Sequence, residues 1–362
     1  MKVAYTIGSL NFGGMEVLLL DSLKADTCKS VERLLIHRKG GDLEKEFHNI
    51  KGIKALKLFP KWGRLIIYLC QLRKVFVKER VSIIHAQLWI DCIYAWIATI
   101  GLHIPILLTF HGYYLKKGIQ SLPIKLAILM ADRVCFVSQM EQNIYENYYG
   151  NLLKNKGVVI YNGVNFSKLK YSDKQKASEY PLQLCLVGSF GGVRSQEIIA
   201  MALAQLSDDM REKIEFYFIG GAGKNGGALL NECKQICKNC SNVHFLGPMG
   251  DIPELLSQMD AFVYSSRRDT FGIAVVEAMA SGLPIVVNDY PVMKEITKDI
   301  DSVLLYRTND VSDCILKIEE LVENICTLRE RAYINKIHIQ NSFSIEQHNK
   351  QLEDLYESVN CR

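Results

Sequence analysis

The sequence has no strong excess of charge of either sign. Its 43 Lys and Arg stand against 39 Asp and Glu, a formal net charge of +4 over 362 residues. That balance excludes the dense basic surface on which nucleic-acid binding depends. Long apolar runs are also missing. The most apolar stretch, from Ile83 to Phe110, is interrupted by His85, Gln87, Asp91, His103 and Pro105. No window of about 20 residues in it is apolar enough to span a bilayer. The N-terminal apolar run is short and broken by Thr6 and Ser9, which makes a poor signal peptide and a good first strand. The eleven cysteines are odd in number and scattered, as in a reducing compartment rather than a disulfide framework. No fixed-period repeat and no low-complexity segment occurs. With 49% hydrophobic and 23% charged residues, disorder, collagen and a small disulfide scaffold are excluded. These absences together point to a cytoplasmic globular protein of about two domains.

Short apolar runs do recur, separated by helix-length amphipathic stretches. In the first half they are Val3–Ile7, Arg33–His37, Ile53–Leu58, Ser82–His85, Ile104–Thr109, Arg133–Val137 and Val158–Tyr161. In the second half they are Leu184–Val187, Glu215–Ile219, Val243–Leu246, Ala261–Tyr264, Pro284–Val287 and Ser302–Leu305. Glu16–Lys24, Leu65–Lys78 and Ile124–Ala131 are among the helical patterns between them. Strands apolar throughout are buried on both faces, and helix-length spacers imply βαβ units and parallel sheets. Two such series predict an α/β protein of two doubly wound domains, over residues 1–165 and 181–342, joined by the polar segment 166–181. A last helix is expected after Phe343, where Ser344 and Gln347 have the spacing of a capping box. A terminal helix with no strand behind it has to pack on a domain already built.

In open α/β sheets ligands bind beyond the carboxyl ends of the strands, so the residues after each strand are the candidates. After the first come Gly13 and Gly14, leading into a helix, where backbone amides can approach an anion. The dinucleotide pattern GxGxxG is not met. His111 follows the strand ending at Thr109 and can reach a substrate hydroxyl or phosphate, or can simply be bonded inside its loop. Gly188, Ser189 and Arg194 follow Val187. A cation at a helix start is poorly placed against the helix dipole, which favours an anionic partner for Arg194. The densest signal runs from Ser265 to Pro284. Asp269 lies in a loop before a helix that contains Glu277 in an otherwise apolar stretch. A carboxylate there needs partners; vicinal hydroxyls of a ribose or an internal salt bridge would serve.

This pattern resembles the retaining glycosyltransferases of family 4, the group 1 glycosyltransferases of GT-B fold. The segment Asp269–Glu277 is similar to that family's E-x7-E motif, with Asp in place of the first Glu. Phe271-Gly272, Glu277-Ala278-Met279-Ala280 and Gly282-Leu283-Pro284 match its surroundings. Asn162-Gly163-Val164 resembles its NGV, Gly13-Gly14-Met15-Glu16 its GG-x-E, and the run Val243–Gly247 its strand before the base-binding loop. The resemblance implies two Rossmann-like domains facing across a cleft, with acceptor on the first and nucleotide sugar on the second. It also implies a C-terminal helix, residues 343–362, crossing back to the first domain. Glu277 would bind ribose hydroxyls and Asp269 would sit against the donor sugar near the reaction centre. His111 would lie near the transferred sugar and phosphate. Gly13 and Gly14 would approach the diphosphate or leave room for the acceptor. Gly188, Ser189, Phe271, Gly272 and Gly247 complete the expected donor site, with Asp269, His111 and Arg194 as the catalytic set. No metal ligand and no cofactor is expected; a DxD-like motif is absent, and a UDP- or GDP-sugar is the co-substrate.

The chain departs from the family at its basic clamp. Arg is usual directly after the strand-ending glycine, with Lys five residues on; here those positions hold Ser189 and Arg194. Arg267 and Arg268 are candidates to replace the missing cation, or are a solvated loop pair. Cys233, Cys237 and Cys240 read as helix-face cysteines rather than a metal site. Residues 61–80 form a cationic amphipathic stretch suited to anionic lipid or to an ordinary surface helix. The expected activity is transfer of a sugar to a saccharide or lipid-linked saccharide in bacterial capsular, exopolysaccharide or O-antigen assembly, at the inner face of the cell membrane. Two other readings stand beside this one: a degenerate protein that binds sugar nucleotide without turnover, which only Ser189 and Asp269 support, and a sugar-nucleotide epimerase, against which the segment 269–287 argues.

Overall fold

A computed structural model describes residues 1–25, 31–59, 64–169, 180–223 and 226–360. Lys61–Gly63 of the basic stretch and residues 170–179 of the polar junction lie outside the described residues, as do Cys361 and Arg362. The chain divides into two compact units. One takes Met1–Gly163 together with Ile345–Arg362, the other Val164–Ser344. Among the described residues no helix is long and apolar enough to cross a membrane.

The first unit is built on seven strands: β1 (Lys2–Ile7), β2 (Glu32–His37), β3 (Lys54–Lys57), β4 (Ile83–Ala86), β5 (Ile106–Phe110), β6 (Arg133–Phe136) and β7 (Gly157–Val159). They form one parallel sheet in the order β3-β2-β1-β4-β5-β6-β7. The chain starts in the middle and winds outward to each edge in turn, a Rossmann-like topology. Strands β1, β4 and β5 are buried almost without interruption, which is why their sequences are continuous apolar runs rather than alternating ones. The helix Leu65–Lys78 presents Tyr68, Leu72 and Phe76, four residues apart, to the core, one stripe of an amphipathic helix.

The second unit repeats the plan with β8 (Leu182–Val187), β9 (Ile214–Ile219), β10 (Val243–Gly247), β11 (Ala261–Tyr264), β12 (Ile285–Asn288) and β13 (Val303–Tyr306). Their order is β10-β9-β8-β11-β12-β13, again parallel throughout. Cys233 and Cys237, at the end of the helix Gly227–Ile236, are buried, and the Cys237 thiol reaches the Ala200 carbonyl at 3.6 Å. Burial pushes both thiols up to about 12, so they are inert core groups at neutral pH.

The terminal helix begins at Ile345 and runs to Asn360, and it belongs to the first unit. Phe343 and Ser344 stay with the second unit, where the Val164 N–H donates to the Phe343 carbonyl at 2.8 Å. Gly163 explains how the terminal helix seats: a Cβ there would lie 2.7 Å from the Ile345 Cα. The glycine of the NGV triplet therefore leaves the space that the returning backbone occupies. Leu352, Tyr356 and Val359 of this helix join the core with Leu20 and Leu23. The Tyr356 hydroxyl bonds the Tyr5 hydroxyl at 2.9 Å and the His85 Nδ1 at 2.7 Å. His348 Nδ1 donates to the Tyr161 carbonyl at 2.7 Å.

Burial pushes His85 down to about 3 and His348 down to about 4, both from an ordinary 6.5. The unfolded chain therefore binds more protons below pH 6.5, and stability falls as pH drops through that value toward the folded ones. At pH 5 each buried imidazole should cost about 2 kcal/mol relative to neutral pH. Urea unfolding of the parent and of His348→Gln at pH 7 and pH 5 checks this. The variant should lose about 2 kcal/mol less than the parent on acidification. An equal loss in both would show that His348 is not held neutral by the fold.

Candidate active site

In the first unit the loop after β1 leads into the helix Gly14–Lys24. Gly13 is its N-cap, in extended backbone and with no side chain to cap the helix. The first amides of such a helix are left for an anion or solvent. A Cβ on Gly13 would sit 2.6 Å from a Glu16 carboxylate oxygen, so the glycine makes room for Glu16 as well. Burial raises the Glu16 carboxyl above its ordinary value. Gly14 is exposed, and Phe12 on the same loop is 71% exposed. Beyond β5, His111 is half-buried and its Nε2 donates to the Gln87 amide oxygen at 2.8 Å. Burial, and then the neighbouring His348, push its imidazole down to about 3. His111 is thus neutral at physiological pH, with Nδ1 as its acceptor nitrogen.

In the second unit the strand ends carry an array of polar groups. Arg194 Nε donates to the Tyr264 hydroxyl at 2.6 Å, and that hydroxyl donates to Asp269 Oδ2 at 2.7 Å. The guanidinium lies over the Tyr264 ring, 5.8 Å from its centroid, and Nη1 donates to the Ser189 carbonyl at 3.1 Å and hydroxyl at 3.3 Å. Gly188 allows this packing, because a Cβ there would come 2.7 Å from Arg194 Nε. The Tyr264 phenol is buried, which raises it far above its ordinary value. The Arg194 guanidinium is likewise raised, by Tyr264 first and by Asp269. A neutral hydroxyl therefore couples a fixed cation to a carboxylate. The Asp269 N–H donates to Ser266 Oγ at 3.2 Å, and Asn288 bonds both backbone groups of Ser266, at 2.7 and 2.8 Å. The loop that carries Asp269 is held from both sides.

Glu277 stands half-buried within the helix Ile273–Ala280. That helix begins after Gly272, whose φ of +92° is left-handed. A Cβ on Gly272 would also meet the Met293 methyl at 2.7 Å, so backbone strain and crowding both require glycine. Gly247 ends β10 at φ +72°, with nothing near its Cβ position.

The family described as Glycosyl transferases group 1 matches residues 167–338, and the family described as Glycosyltransferase Family 4 matches residues 12–168. The chain belongs to the group 1, family 4 glycosyltransferases. An uncharacterized glycosyltransferase of Methanocaldococcus jannaschii is 28% identical over 87% of this chain and 87% of its own length. The O-antigen biosynthesis glycosyltransferase WclY of Escherichia coli is 23% identical over 82% of each chain. The crystal structure of Anabaena HepE in complex with UDP and glucose superposes with a TM-score of 0.81, at 20% identity, covering 99% of this chain and 100% of that one. The shared fold is GT-B.

Within this glycosyltransferase the structure separates the expected site residues by what their side chains touch. Arg194, Ser189 and, through the Tyr264 hydroxyl, Asp269 form one hydrogen-bonded array, and Gly188 leaves the space that Arg194 fills. Phe271 does not offer its ring: the side chain is buried, 5.9 Å edge-on to Phe343, so only its backbone remains for a donor. Arg267, a candidate for the missing clamp cation, pairs with the Glu197 carboxylate. The N–H groups of Arg267 and Arg268 both donate to the Val193 carbonyl, at 2.9 and 3.0 Å. Tyr264 is the residue that sequence reasoning passed over. It ends an apolar strand and carries no charge. Its signal was its position, five residues before Asp269 at the carboxyl end of a central strand.

Proposed function

We propose that this glycosyltransferase moves a sugar from a nucleoside diphosphate donor, UDP- or GDP-linked, to an acceptor hydroxyl with retention of anomeric configuration and without a metal. The observation that carries the reading is the Arg194–Tyr264–Asp269 array at the carboxyl ends of β8 and β11. As the glycosidic bond breaks, negative charge grows on the diphosphate and positive charge on the sugar carbon. A fixed guanidinium is suited to the first, and a carboxylate joined to it through one hydroxyl is suited to the second. In this reading Glu277 holds ribose hydroxyls, and the Gly272 turn brings backbone amides to the donor. The strand-end glycines 188 and 247 let the donor approach. On the first unit His111, as a neutral hydrogen-bonding group, and the amides after Gly13 and Gly14 meet the transferred sugar, the diphosphate or the acceptor.

WclY takes part in O-antigen biosynthesis by its name, and this supports a role in building a bacterial surface polysaccharide. A lipid-linked saccharide is the acceptor we favour. Leu65, Ile66 and Ile67 stand exposed at the start of the helix Leu65–Lys78, beside Arg64 and ahead of the exposed Lys74 and Lys78. Such a helix start suits an anionic membrane surface, at the inner face of the cell membrane.

A panel of nucleotide sugars tests the proposal. One or more UDP- or GDP-sugars should raise the melting temperature and support transfer to a lipid-linked acceptor. The product should keep the donor's anomeric configuration by NMR, and added magnesium or manganese should leave the rate unchanged. Stabilisation without hydrolysis or transfer would assign a binding protein instead. Exchange at the sugar C2 without acceptor would assign an epimerase.

A further inference from the structure

Three groups outside the candidate active site converge where β2 ends. His37 is the last residue of β2 and is fully buried. Glu44 and His48 are the first and last residues of the helix Glu44–His48, four apart and hence on one face. The ligand atoms of all three lie within 4.8 Å of one another. His37 Nδ1 is 3.0 Å from the Lys39 carbonyl. A carbonyl only accepts, so Nδ1 carries the proton and the neutral ring presents a lone pair at Nε2. Binding of the second ring nitrogen to a backbone carbonyl is how metal-ligating imidazoles are oriented. His37 Nε2 lies 3.2 Å from His48 Nε2, with the ring planes at 81°. Two nitrogens at the usual Zn–N length of about 2.0–2.1 Å on a tetrahedral centre stand about 3.3–3.4 Å apart. Lys57 engages Glu44 Oε1 at 2.9 Å, which leaves the second carboxylate oxygen to complete the set. Gly40 makes the approach possible: a Cβ there would lie 1.9 Å from Glu44 Oε2.

We propose that His37, Glu44 and His48 form a binding site for a zinc-class divalent ion, with solvent as the fourth ligand. Two imidazoles and one carboxylate suit zinc, whereas calcium and magnesium prefer all-oxygen sets. The ion would tie a five-residue helix to the end of β2. The loop between them braces the loop after β1: Leu43 N–H donates to the Leu10 carbonyl at 2.9 Å, and Phe12 N–H to Asp42 at 3.2 Å. A Cβ on Gly41 would lie 2.3 Å from the Leu10 carbonyl carbon, so the two loops are in close contact. The ion's role is to fix the loop that carries Gly13 and Gly14, and it takes no part in bond breaking.

Titration calorimetry of the whole, metal-stripped protein with zinc tests the site. The parent should bind one equivalent with micromolar affinity or better. His48→Gln and Glu44→Gln should each weaken that binding at least tenfold. His48 is exposed, so the metal-free melting temperature of His48→Gln should match the parent's, which separates a lost ligand from a lost fold. Cobalt in place of zinc should show no thiolate charge-transfer band, which sets this site apart from the cysteines. Absence of one-to-one binding, affinity unchanged in both variants, or a thiolate band would overturn the proposal and leave His37 and His48 as a hydrogen-bonded pair. None of these readouts depends on glycosyl transfer.

Discussion

Replacing Glu277 by Ala should lower kcat/KM for the nucleotide sugar by at least a hundredfold while the protein stays folded. The size follows from the bonds at stake. A carboxylate on two vicinal hydroxyls makes two hydrogen bonds to a charged acceptor, each worth about 1.5–3 kcal/mol, and about 1.4 kcal/mol is a factor of ten. The partition of the loss is also expected. Ribose hydroxyls lie far from the bond that breaks, so their contacts are alike in the ground and transition states. Removing such uniform binding raises KM and leaves kcat largely intact. Steady-state kinetics with varied donor, beside a thermal melt, measures both. Glu277 is half-buried in the middle of a helix, and alanine is the best helix former, so the helix should persist and the melt should stay cooperative. A native-like melt with kcat/KM within threefold of the parent would remove Glu277 from the donor site. A large fall in kcat at unchanged KM would move it from the ribose to the reacting centre.

Glu277 also illustrates what a single sequence makes legible. A lone carboxylate in the run Ile273–Met279 is visible because everything around it is apolar. Strands β1, β5, β11 and β12 were visible for the same reason. β1 and β5 are buried on both faces, so their sequences admit almost nothing polar. Both helix-start glycines could be read, because a strand followed by glycine and then a helix has few structural meanings. What stayed hidden is direction and pairing. Phe271 sits beside Gly272 in the motif, yet its ring turns inward to Phe343. Arg267 looked available but is held by Glu197, seventy residues away in sequence. The His37, Glu44 and His48 cluster escaped because its helix is only five residues long and shows no periodicity. Its geometry depends on a carbonyl at Lys39, which no side-chain pattern records. Tyr264 was hidden by its ordinariness, since an aromatic residue at the end of a buried strand is usually core.

That tyrosine decides how the second large effect should be read. Arg194→Met should lower kcat by a hundred- to a thousandfold, the cost of removing one preorganised group that meets developing negative charge. The donor KM should change little, since the guanidinium matters most when the diphosphate is leaving. Arg194 has a structural part as well, through Ser189 and Tyr264, so the loss needs to be separated from a displaced loop. Tyr264→Phe does this. It keeps the ring under the guanidinium and the cation itself, and it removes only the hydroxyl that joins Arg194 to Asp269. If the array works through the cation, Tyr264→Phe costs about tenfold, and Arg194→Lys, which keeps the charge but not the planar fork, recovers part of the activity lost in Arg194→Met. If Arg194 serves only to hold Asp269 in place, Tyr264→Phe and Arg194→Met fall equally and Arg194→Lys recovers nothing. The difference between these two outcomes is a factor of ten or more in kcat. It tests whether a clamp with serine at position 189 still stabilises the leaving diphosphate with its one remaining cation.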